Sequence, residues 1–310
     1  MSGVRTIYMK VSYMIASHNR REELLKTIQA CYDQTYGDKE IHVVDDGSTD
    51  DSFEAVRKQF PEVIITRNET ARGSVSSRNQ IFRRVTGEIL FGFDDDSRFI
   101  DPESTTLTVE RFLRDDELGL LDFQDIGPEF PDRISMASRA RLQGAHPVSS
   151  FGAGRFAVRR HVLEAAGLFP DFFWHAYEEP DLAIRIWNCG YKCLRWNAIL
   201  VWHEFSQLNR DEQRTHYFHA RNELLSVWMR TPITFLVPLT VWRMLSQFRY
   251  SQRRGWRTID LRVWRDALKM MPVALKHRAP VKTSTLRNCL RMNRVIAAGS
   301  NQMGLDEALL

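Results

Sequence analysis

The stretch LFGFDDDSRF, residues 90–99, ends an apolar run on three consecutive carboxylates, Asp94, Asp95 and Asp96. Adjacent carboxylates repel one another, so the fold alone has little reason to gather them. A divalent cation would remove the repulsion, because hard cations take carboxylate oxygens as ligands. A solvated acidic turn is the alternative, and the triplet alone does not decide between the two.

A second acidic turn, DDGSTDDS at residues 45–52, follows another apolar run. Asp45 or Asp46 could accept hydrogen bonds from a base N–H or a ribose hydroxyl. The same segment also fits a simple strand-to-helix turn in which Ser48 caps the next helix. An EF-hand does not fit, because glycine stands at the third loop position, where a ligand is needed.

The elements that must position these residues follow from the hydrophobic pattern of the first hundred residues. Apolar runs predict four strands, and helical spacing predicts a helix after each of the first three. The predicted strands are 11–17, 41–44, 63–66 and 88–93, and the predicted helices are 21–34, 52–60 and 76–85. This alternation indicates an α/β fold with a Rossmann-like, mostly parallel sheet flanked by helices. Ligands bind such sheets beyond the carboxyl ends of the strands, where residues 16–20, 45–51 and 94–97 fall.

The composition, 43% hydrophobic and 26% charged, is that of a folded globular protein and excludes a disordered chain. The four cysteines form no CxxC pair, which favours reduced, packed thiols. The N-terminal residues lack the uninterrupted apolar core of a signal peptide, and the longest apolar stretch, 231–242, is too short to span a bilayer. These features predict a cytoplasmic protein.

Positive charge is concentrated near the C-terminus. Residues 243–294 contain fourteen lysines and arginines against two acids, Asp260 and Asp266. The asymmetry predicts contact with an anionic surface, either a membrane touched through residues 231–294 or the rest of the protein under a basic helical cap. No nucleic-acid-binding motif accompanies the charge, so nucleic acid is not an expected partner.

Four blocks of the sequence resemble family 2 glycosyltransferases. The donor-side blocks are ASHNRREELLKTIQACYDQTYGDKEIHVVDDGSTDDS and RGSVSSRNQIFRRVTGEILFGFDDDS, and the acceptor-side blocks are GAGRFAVRRHVLEAAGLFP and EEPDLAIRIWNCGY. The resemblance implies the GT-A fold, with a nucleotide-sugar-binding half at 1–105, an acceptor-binding catalytic half at 106–209 and a basic helical extension at 210–310. It also implies an inverting, metal-dependent transfer of sugar from a UDP-, dTDP- or GDP-linked donor to a hydroxyl of a carbohydrate or lipid-linked acceptor.

The resemblance carries residue roles with it. The nucleotide-sugar-binding set would be Ala16, Ser17, His18, Arg20, Asp45, Asp46, Arg78, Asp94, Asp95 and Gly154. The His18 ring would pack against the base, and Arg78 would lie near the diphosphate or the base, unless it is an ordinary surface charge. Mg²⁺ or Mn²⁺ would be held by Asp94, Asp96 and His203. Gly154 would let the backbone approach the donor sugar, although a tight turn explains this glycine equally well.

The general base is expected in YEEPDLAIRIWNCGY, residues 177–191. The family usually reads Glu-Asp-x-Asp here, with the second acid as base, and Glu179 stands at that position. Asp181 is the second choice, and favourable placement of acids at a helix N-terminus is the structural alternative. The preceding aromatic residues could form a platform for a sugar face or belong to the core: Trp174, His175 and Tyr177.

Two other classes of protein remain open from the sequence. A sugar nucleotidyltransferase also combines paired aspartates, a metal ion and an α/β sheet. A non-catalytic nucleotide- or sugar-binding protein could use the acidic cluster for a structural ion. The expected location is the cytoplasm, with peripheral attachment to the inner face of the membrane as an option.

Overall fold

The computed structural model describes residues 9–128, 144–204, 211–256 and 258–303, with side chains up to residue 293. Within these residues nine strands form one sheet. They are β1 (Val11–Ser17), β2 (Lys39–Asp45), β3 (Ile64–Arg67), β4 (Ile89–Asp94), β5 (Ser97–Phe99), β6 (Leu118–Ile126), β7 (Ala145–Pro147), β8 (Arg155–Arg159) and β9 (Lys192–His203). The order is β3-β2-β1-β4-β8-β6-β9-β5, with β7 paired to β9.

Helices cover the sheet and continue beyond its last strand. In the described residues they are α1 (Arg21–Tyr32), α2 (Ser52–Gln59), α3 (Ser74–Phe82), α4 (Ser104–Leu113), α5 (Arg160–Ala166), α6 (Glu178–Asn188), α7 (Glu212–Arg230), α8 (Ile233–Arg253), α9 (Ile259–Lys276) and α10 (Thr283–Met303). A single 3₁₀ turn, Asp171–Phe173, precedes α6. The predicted helices of the first hundred residues are therefore confirmed, with ends that differ by a few residues.

The first four strands form the parallel part of the sheet. β1 lies between β2 and β4, and β3 extends the sheet beyond β2, all in parallel. The register pairs Ser17 with Asp45 and Ala16 with Asp94, so the carboxyl ends of these strands meet at one edge. The Rossmann-like α/β architecture predicted from the sequence is confirmed.

The second part of the sheet mixes directions. β8 runs antiparallel to β4 and β6, whereas β6 and β9 are parallel. β9 also pairs antiparallel with β5, and this pairing sets Ser97 opposite His203. Because β5 begins directly after the DDD triplet, the end of β9 returns to the acidic turn.

Both faces of the sheet are buried, as the apolar runs require. Side chains alternate along β4, so that Leu90 packs in one apolar cluster and Ile89, Phe91 and Phe93 pack in the other. Burying one such side chain stabilises the fold by about 1.5–3 kcal/mol relative to leaving it exposed. These two clusters fix β4 and hence the position of the carboxylates that follow it.

The helices after residue 211 extend the first cluster. α7 contributes Leu224, Leu225, Trp228 and Met229 to the same core as Leu90, and α9 packs mainly against α7. The predicted helical character of this part is confirmed, whereas the predicted boundary at 209 lies outside the described residues and the one at 105 stays a prediction. No helix among the described residues has both the length and the apolar content needed to cross a membrane.

Candidate active site

The DDD triplet forms the end of β4 and the tight turn into β5. Asp95 and Asp96 are buried, whereas the Asp94 side chain is 34% exposed. Thr27 of α1 donates a hydrogen bond of 2.8 Å to the Asp95 carbonyl, and the Ser17 hydroxyl donates one of 2.9 Å to the Asp95 carboxylate. The turn is thus held by hydrogen bonds from α1 and from the end of β1.

The three predicted metal ligands come together at this turn. Asp94, Asp96 and His203 each offer one atom, and these atoms lie within 4.8 Å of one another. The Nε2 atom of His203 is 3.3 Å from Oδ1 of Asp96. Two carboxylates and an imidazole form a donor set that fits Mn²⁺ or Mg²⁺. The pairing of β5 with β9 is what brings the histidine to the acids.

Arg20, just before α1, contacts the buried acids of the triplet. Its Nη1 atom lies 3.1 Å from an Asp95 oxygen and 3.2 Å from an Asp96 oxygen. Burial raises the pKa of Asp95 to about 7, and the Arg20 guanidinium opposes that rise. The sequence predicted Arg20 beside the base and ribose, and the structure places it against the carboxylates.

Arg78 of α3 links the two halves of the site. It is buried, with Nη2 at 2.5 Å from an Asp94 oxygen and Nη1 at 2.9 Å from a Glu178 oxygen. Glu178 lies 100 residues further along the chain and opens α6. Because the side chain is buried and doubly paired, the alternative of an ordinary surface charge does not hold.

The carboxylates outnumber the cations at this place. We call the following five residues the acidic cluster: Asp94, Asp95, Asp96, Glu178 and Glu179. Arg20 and Arg78 form ion pairs with it, and Arg155, which is paired with Asp122 and Asp125, adds a third guanidinium group nearby. A site with this surplus of negative charge attracts a divalent cation.

Gly154, before β8, makes room for one member of the cluster. A Cβ atom at this position would lie 2.4 Å from Oδ2 of Asp94, which is well inside van der Waals contact. Any side chain here would therefore displace the Asp94 carboxylate.

Glu179 is half-buried in the first turn of α6. Burial raises its pKa to about 8, and the neighbouring Glu178 carboxylate adds to the rise. A carboxylate with a pKa near neutrality can accept a proton from a hydroxyl group as that group attacks.

Asp181, the second choice for the base, has a different environment. Its fully buried carboxylate lies 2.9 Å from Arg185 and 2.9 Å from Arg230, and it accepts a hydrogen bond of 2.9 Å from Ser226. Burial alone would raise the pKa of Asp181, but the two guanidinium groups bring it below its usual value. These contacts describe an anchor between α6 and α7.

The DDGS turn is held by its own carboxylates. Asp46 is buried and accepts hydrogen bonds from the backbone N–H groups of Arg72 at 2.9 Å and Gly73 at 2.8 Å. Asp45 is fully buried and accepts a bond of 2.9 Å from the Ser48 N–H. Both residues thus fix the loops that surround the edge of the sheet.

The remaining predicted residues lie at the end of β1 and before α6. His18 is exposed, and its Nδ1 atom is 2.9 Å from the Asp46 carbonyl oxygen. Trp174 and His175 are also exposed, whereas the Tyr177 ring packs against His219 at a centroid distance of 5.0 Å. Of the three aromatic residues, Tyr177 is therefore the one that is half-buried and packed against the core.

Sequence reasoning missed Asn222 and Arg221 of α7, which reach the chain just before α6. Asn222 donates hydrogen bonds to the carbonyls of His175 and Ala176, and Arg221 donates one to Phe173. No motif signalled these contacts, because they depend on how α7 packs.

A sheet that is parallel at β1–β4, mixed beyond, and lined with acids at its carboxyl edge defines an α/β protein of the GT-A class. A mannosyltransferase, PcManGT from Pyrobaculum calidifontis, solved in complex with GDP-Man and Mn²⁺, shares the fold with a TM-score of 0.59 and 18% identity, over 96% of this chain and 88% of that one. Residues 12–165 match the family described as Glycosyl transferase family 2, and the chain belongs to that family.

Two curated relatives agree with this assignment. The probable glycosyltransferase YdaM of Bacillus subtilis is 25% identical over 63% of this chain and 50% of its own length. The Escherichia coli UDP-Glc:alpha-D-GlcNAc-diphosphoundecaprenol beta-1,3-glucosyltransferase WfaP is 29% identical over 29% of this chain and 36% of its own length. The chain thus spans half of the first relative and about a third of the second.

Proposed function

We propose that the protein is a metal-dependent, inverting glycosyltransferase that moves a sugar from a nucleoside-diphosphate sugar to a hydroxyl acceptor. The observation that carries the proposal is the convergence of the acidic cluster, Arg20, Arg78 and His203 at the carboxyl edge of the sheet. These residues come from both halves of the fold, as a site between a donor and an acceptor requires.

The donor nucleotide occupies the ends of β1 and β2. Ala16 and Ser17 border the base and ribose, and the exposed His18 ring packs against the base. Asp45 and Asp46 shape this pocket through the loops they hold, in addition to any hydrogen bond to the base or ribose. PcManGT was solved with a GDP-linked sugar, and WfaP is named for a UDP-linked one, so both nucleotides, together with dTDP, are candidates.

Asp94, Asp96 and His203 would hold Mg²⁺ or Mn²⁺. When bound, such an ion neutralises negative charge on the departing diphosphate. Arg78 orients the Asp94 carboxylate from one side, and Gly154 leaves the space that this carboxylate needs on the other. Arg20 balances the charge of Asp95 and Asp96 and so keeps the turn from opening.

Glu179 is the proposed general base. It takes the proton of the acceptor hydroxyl while the hydroxyl oxygen forms a bond to the anomeric carbon. The bond from that carbon to the diphosphate breaks at the same time, and its electron pair goes to the phosphate oxygen. A single displacement of this kind inverts the anomeric carbon. Asp181 is a poor candidate for this role, because two arginines hold its carboxylate.

An exposed apolar surface on α8 and α9 suggests where a lipid-linked acceptor is met. On α8 the exposed residues recur along one face: Ile233, Val237, Val241, Leu245 and Phe248. On α9 the exposed apolar residues include Leu261 and Leu268, which lie on either side of Trp264 in the sequence. The rings of Phe248 and Trp264 lie 6.5 Å apart, so the two rows meet. We call them together the apolar stripe.

Basic side chains border the apolar stripe. Arg262, Arg265 and Lys269 are more than half exposed, and Arg249 follows Phe248 directly. Apolar residues flanked by arginine and lysine fit an anionic bilayer surface. We propose peripheral attachment at the inner face of the membrane, where the acceptor is a lipid-linked or surface carbohydrate. WfaP, whose named acceptor is a diphosphoundecaprenol lipid, supports this choice.

Flotation with liposomes tests the attachment. The protein should float with vesicles of phosphatidylglycerol and phosphatidylcholine at low salt, and the double variant Val241→Asp, Leu245→Asp should remain at the bottom of the gradient. An equal fraction of both proteins at the top would contradict membrane docking through the apolar stripe.

A labelled-donor assay tests the reaction itself. UDP-, dTDP- and GDP-sugars labelled in the sugar are incubated with the protein, Mn²⁺ and a set of carbohydrate and undecaprenyl-diphosphate-linked acceptors. Transfer of labelled sugar with release of nucleoside diphosphate supports the proposal. Transfer of the nucleoside monophosphate would instead show a nucleotidyltransferase, and binding without transfer or hydrolysis would show a non-catalytic binding protein.

A further inference from the structure

The segment that leads into α6 has a strained backbone. Trp174, Ala176 and Tyr177 have φ angles of 65°, 63° and 69°. This left-handed region favours glycine and asparagine, and none of the three is either. Residues in such conformations are strained and persist only where their surroundings hold them. We call residues 174–177 the strained segment.

Asn222 of α7 holds the strained segment from one side. It is fully buried, and its Nδ2 group lies 3.0, 2.8 and 2.8 Å from the carbonyl oxygens of Phe173, His175 and Ala176. The two N–H hydrogens are therefore shared among three acceptors. Arg221 donates to the Oδ1 atom of Asn222 at 3.0 and 2.8 Å, which fixes the amide with its nitrogen toward the segment.

Helix α3, on the donor side of the fold, contacts the strained segment from the opposite side. The Trp174 carbonyl accepts a hydrogen bond of 3.4 Å from the Val75 N–H. A Cβ atom on Gly73 would lie 2.5 Å from this carbonyl oxygen, so the chain approaches as closely as a glycine allows. The strained segment is thus held between the start of α3 and the middle of α7.

We infer that Asn222 is a positioning residue that keeps the strained segment in its left-handed conformation and so holds Glu178 and Glu179, in the first turn of α6, beside Arg78 and Asp94. Glu178 follows Tyr177 directly and reaches Arg78, and Glu179 comes next in the same turn. Relaxation of the segment would rotate this turn away from Asp94. An effect of Asn222 on catalysis rests on the proposed function, whereas its stabilisation of the backbone of the strained segment does not.

Two variants and a matched control separate positioning from simple stability. Asn222→Ala removes the donor, and Asn222→Asp keeps the size but presents a carboxylate oxygen to three carbonyls. Thr240→Val, on α8, removes the hydroxyl oxygen that accepts a hydrogen bond of 3.2 Å from the Trp228 indole N–H of α7, a contact that involves neither Arg221 nor the strained segment. It is therefore the control for loss of a single contact between α7 and its neighbours.

The kinetic readout is the split between kcat and KM for the labelled nucleotide sugar that the unaltered protein transfers. Both Asn222 variants should lose about 100-fold in kcat with KM within twofold, because small misplacements of a catalytic group have effects of this size. Thr240→Val should stay within twofold in both. A kcat within threefold of the unaltered protein, or a loss that appears only in KM, would overturn the inference.

Hydrogen–deuterium exchange tests the backbone without any activity assay. Peptides that cover residues 173–180 should exchange at least tenfold faster in Asn222→Ala, while peptides from β1 and β4 are unchanged. Unchanged exchange at 173–180, or faster exchange throughout the sheet, would contradict a local hold by Asn222. A protein that transfers no sugar would refute the proposed function, and the exchange result would still decide this point.

Discussion

Two groups of acids and arginines lie side by side around α6, and they are built differently. In the Asp181 network, one carboxylate faces two guanidinium groups and a hydroxyl. In the acidic cluster, five carboxylates share the ion pairs of two guanidinium groups and the weaker influence of a third, Arg155. The network is closed, since both oxygens of its one carboxylate are paired and that carboxylate is fully buried. The cluster keeps a surplus of negative charge and is partly open at Asp94.

The difference in charge balance between the Asp181 network and the acidic cluster indicates a structural role for one and a chemical role for the other, although both include residues of the same helical turn. Glu179 and Asp181 are two residues apart, yet burial raises the pKa of one and two arginines lower the pKa of the other. A carboxylate that must accept a proton cannot also be neutralised by two fixed cations. The comparison therefore assigns the anchor to Asp181 and, in our proposal, the base to Glu179.

The largest effect on activity is expected from a substitution in the acidic cluster, at Asp96. Asp96→Ala should lower sugar transfer by about 10³-fold or more, because loss of charge stabilisation by a metal ion costs several kcal/mol. Isothermal titration with Mn²⁺ should show loss of binding in the variant, while circular dichroism shows an intact fold. Asp116→Ala, which removes a fully exposed acid, is the control. Full activity of the Asp96 variant without added metal would refute the metal assignment.

A loss of about 10²–10⁴-fold in kcat is expected for Glu179→Gln, the range usual for a missing general base. Binding of UDP or GDP with Mn²⁺, measured by thermal shift, should be unchanged, because the amide keeps the shape of the side chain. If turnover persists at its normal rate, the general base is another residue, and the difference in pKa between Glu179 and Asp181 does not reflect a catalytic role for Glu179.

Asp181→Asn should lower the free energy of unfolding. Removing one partner of a buried ion pair costs about 3–5 kcal/mol, because Arg185 and Arg230 then remain buried beside a neutral amide. Urea unfolding measures this loss, and any protein that stays folded should keep a substantial part of its kcat. A variant that is as stable as its parent but inactive would reverse the assignments of Asp181 and Glu179.

The smallest effect is a shift in pH dependence. Since the pKa of Glu179 is raised to about 8, kcat/KM should fall as the pH is lowered below about 8, where the base becomes protonated. An ordinary glutamate would remain ionised down to about pH 4–5. Initial rates between pH 6 and 9 at constant free Mn²⁺ check the direction. A rate that stays level down to pH 6 would show that burial does not tune this carboxylate.

The local parts of the site could be predicted from the sequence. The first strand was predicted with the bounds that the structure shows, and the polar residues at the ends of β1, β2 and β4 do share one edge of the sheet. Strand ends are set by short-range patterns of apolar and polar residues, which a single sequence displays directly.

The long-range parts could not be predicted in the same way. The partners of Arg78 come from β4 and α6, and those of Asn222 come from a segment whose residue types give no sign of a left-handed backbone. Nor do the letters EEPD reveal which acid is neutralised by Arg230, because that contact depends on how α7 docks. Tertiary packing decided each of these cases.

The pairing of β5 with β9 has a consequence for partial chains. The stretch that matches the family, residues 12–165, includes Asp94 and Asp96 but ends well before Glu179 and His203. A nascent polypeptide released from the ribosome at that point would carry the recognisable part of the enzyme and, in our proposal, could neither complete the metal site nor activate an acceptor.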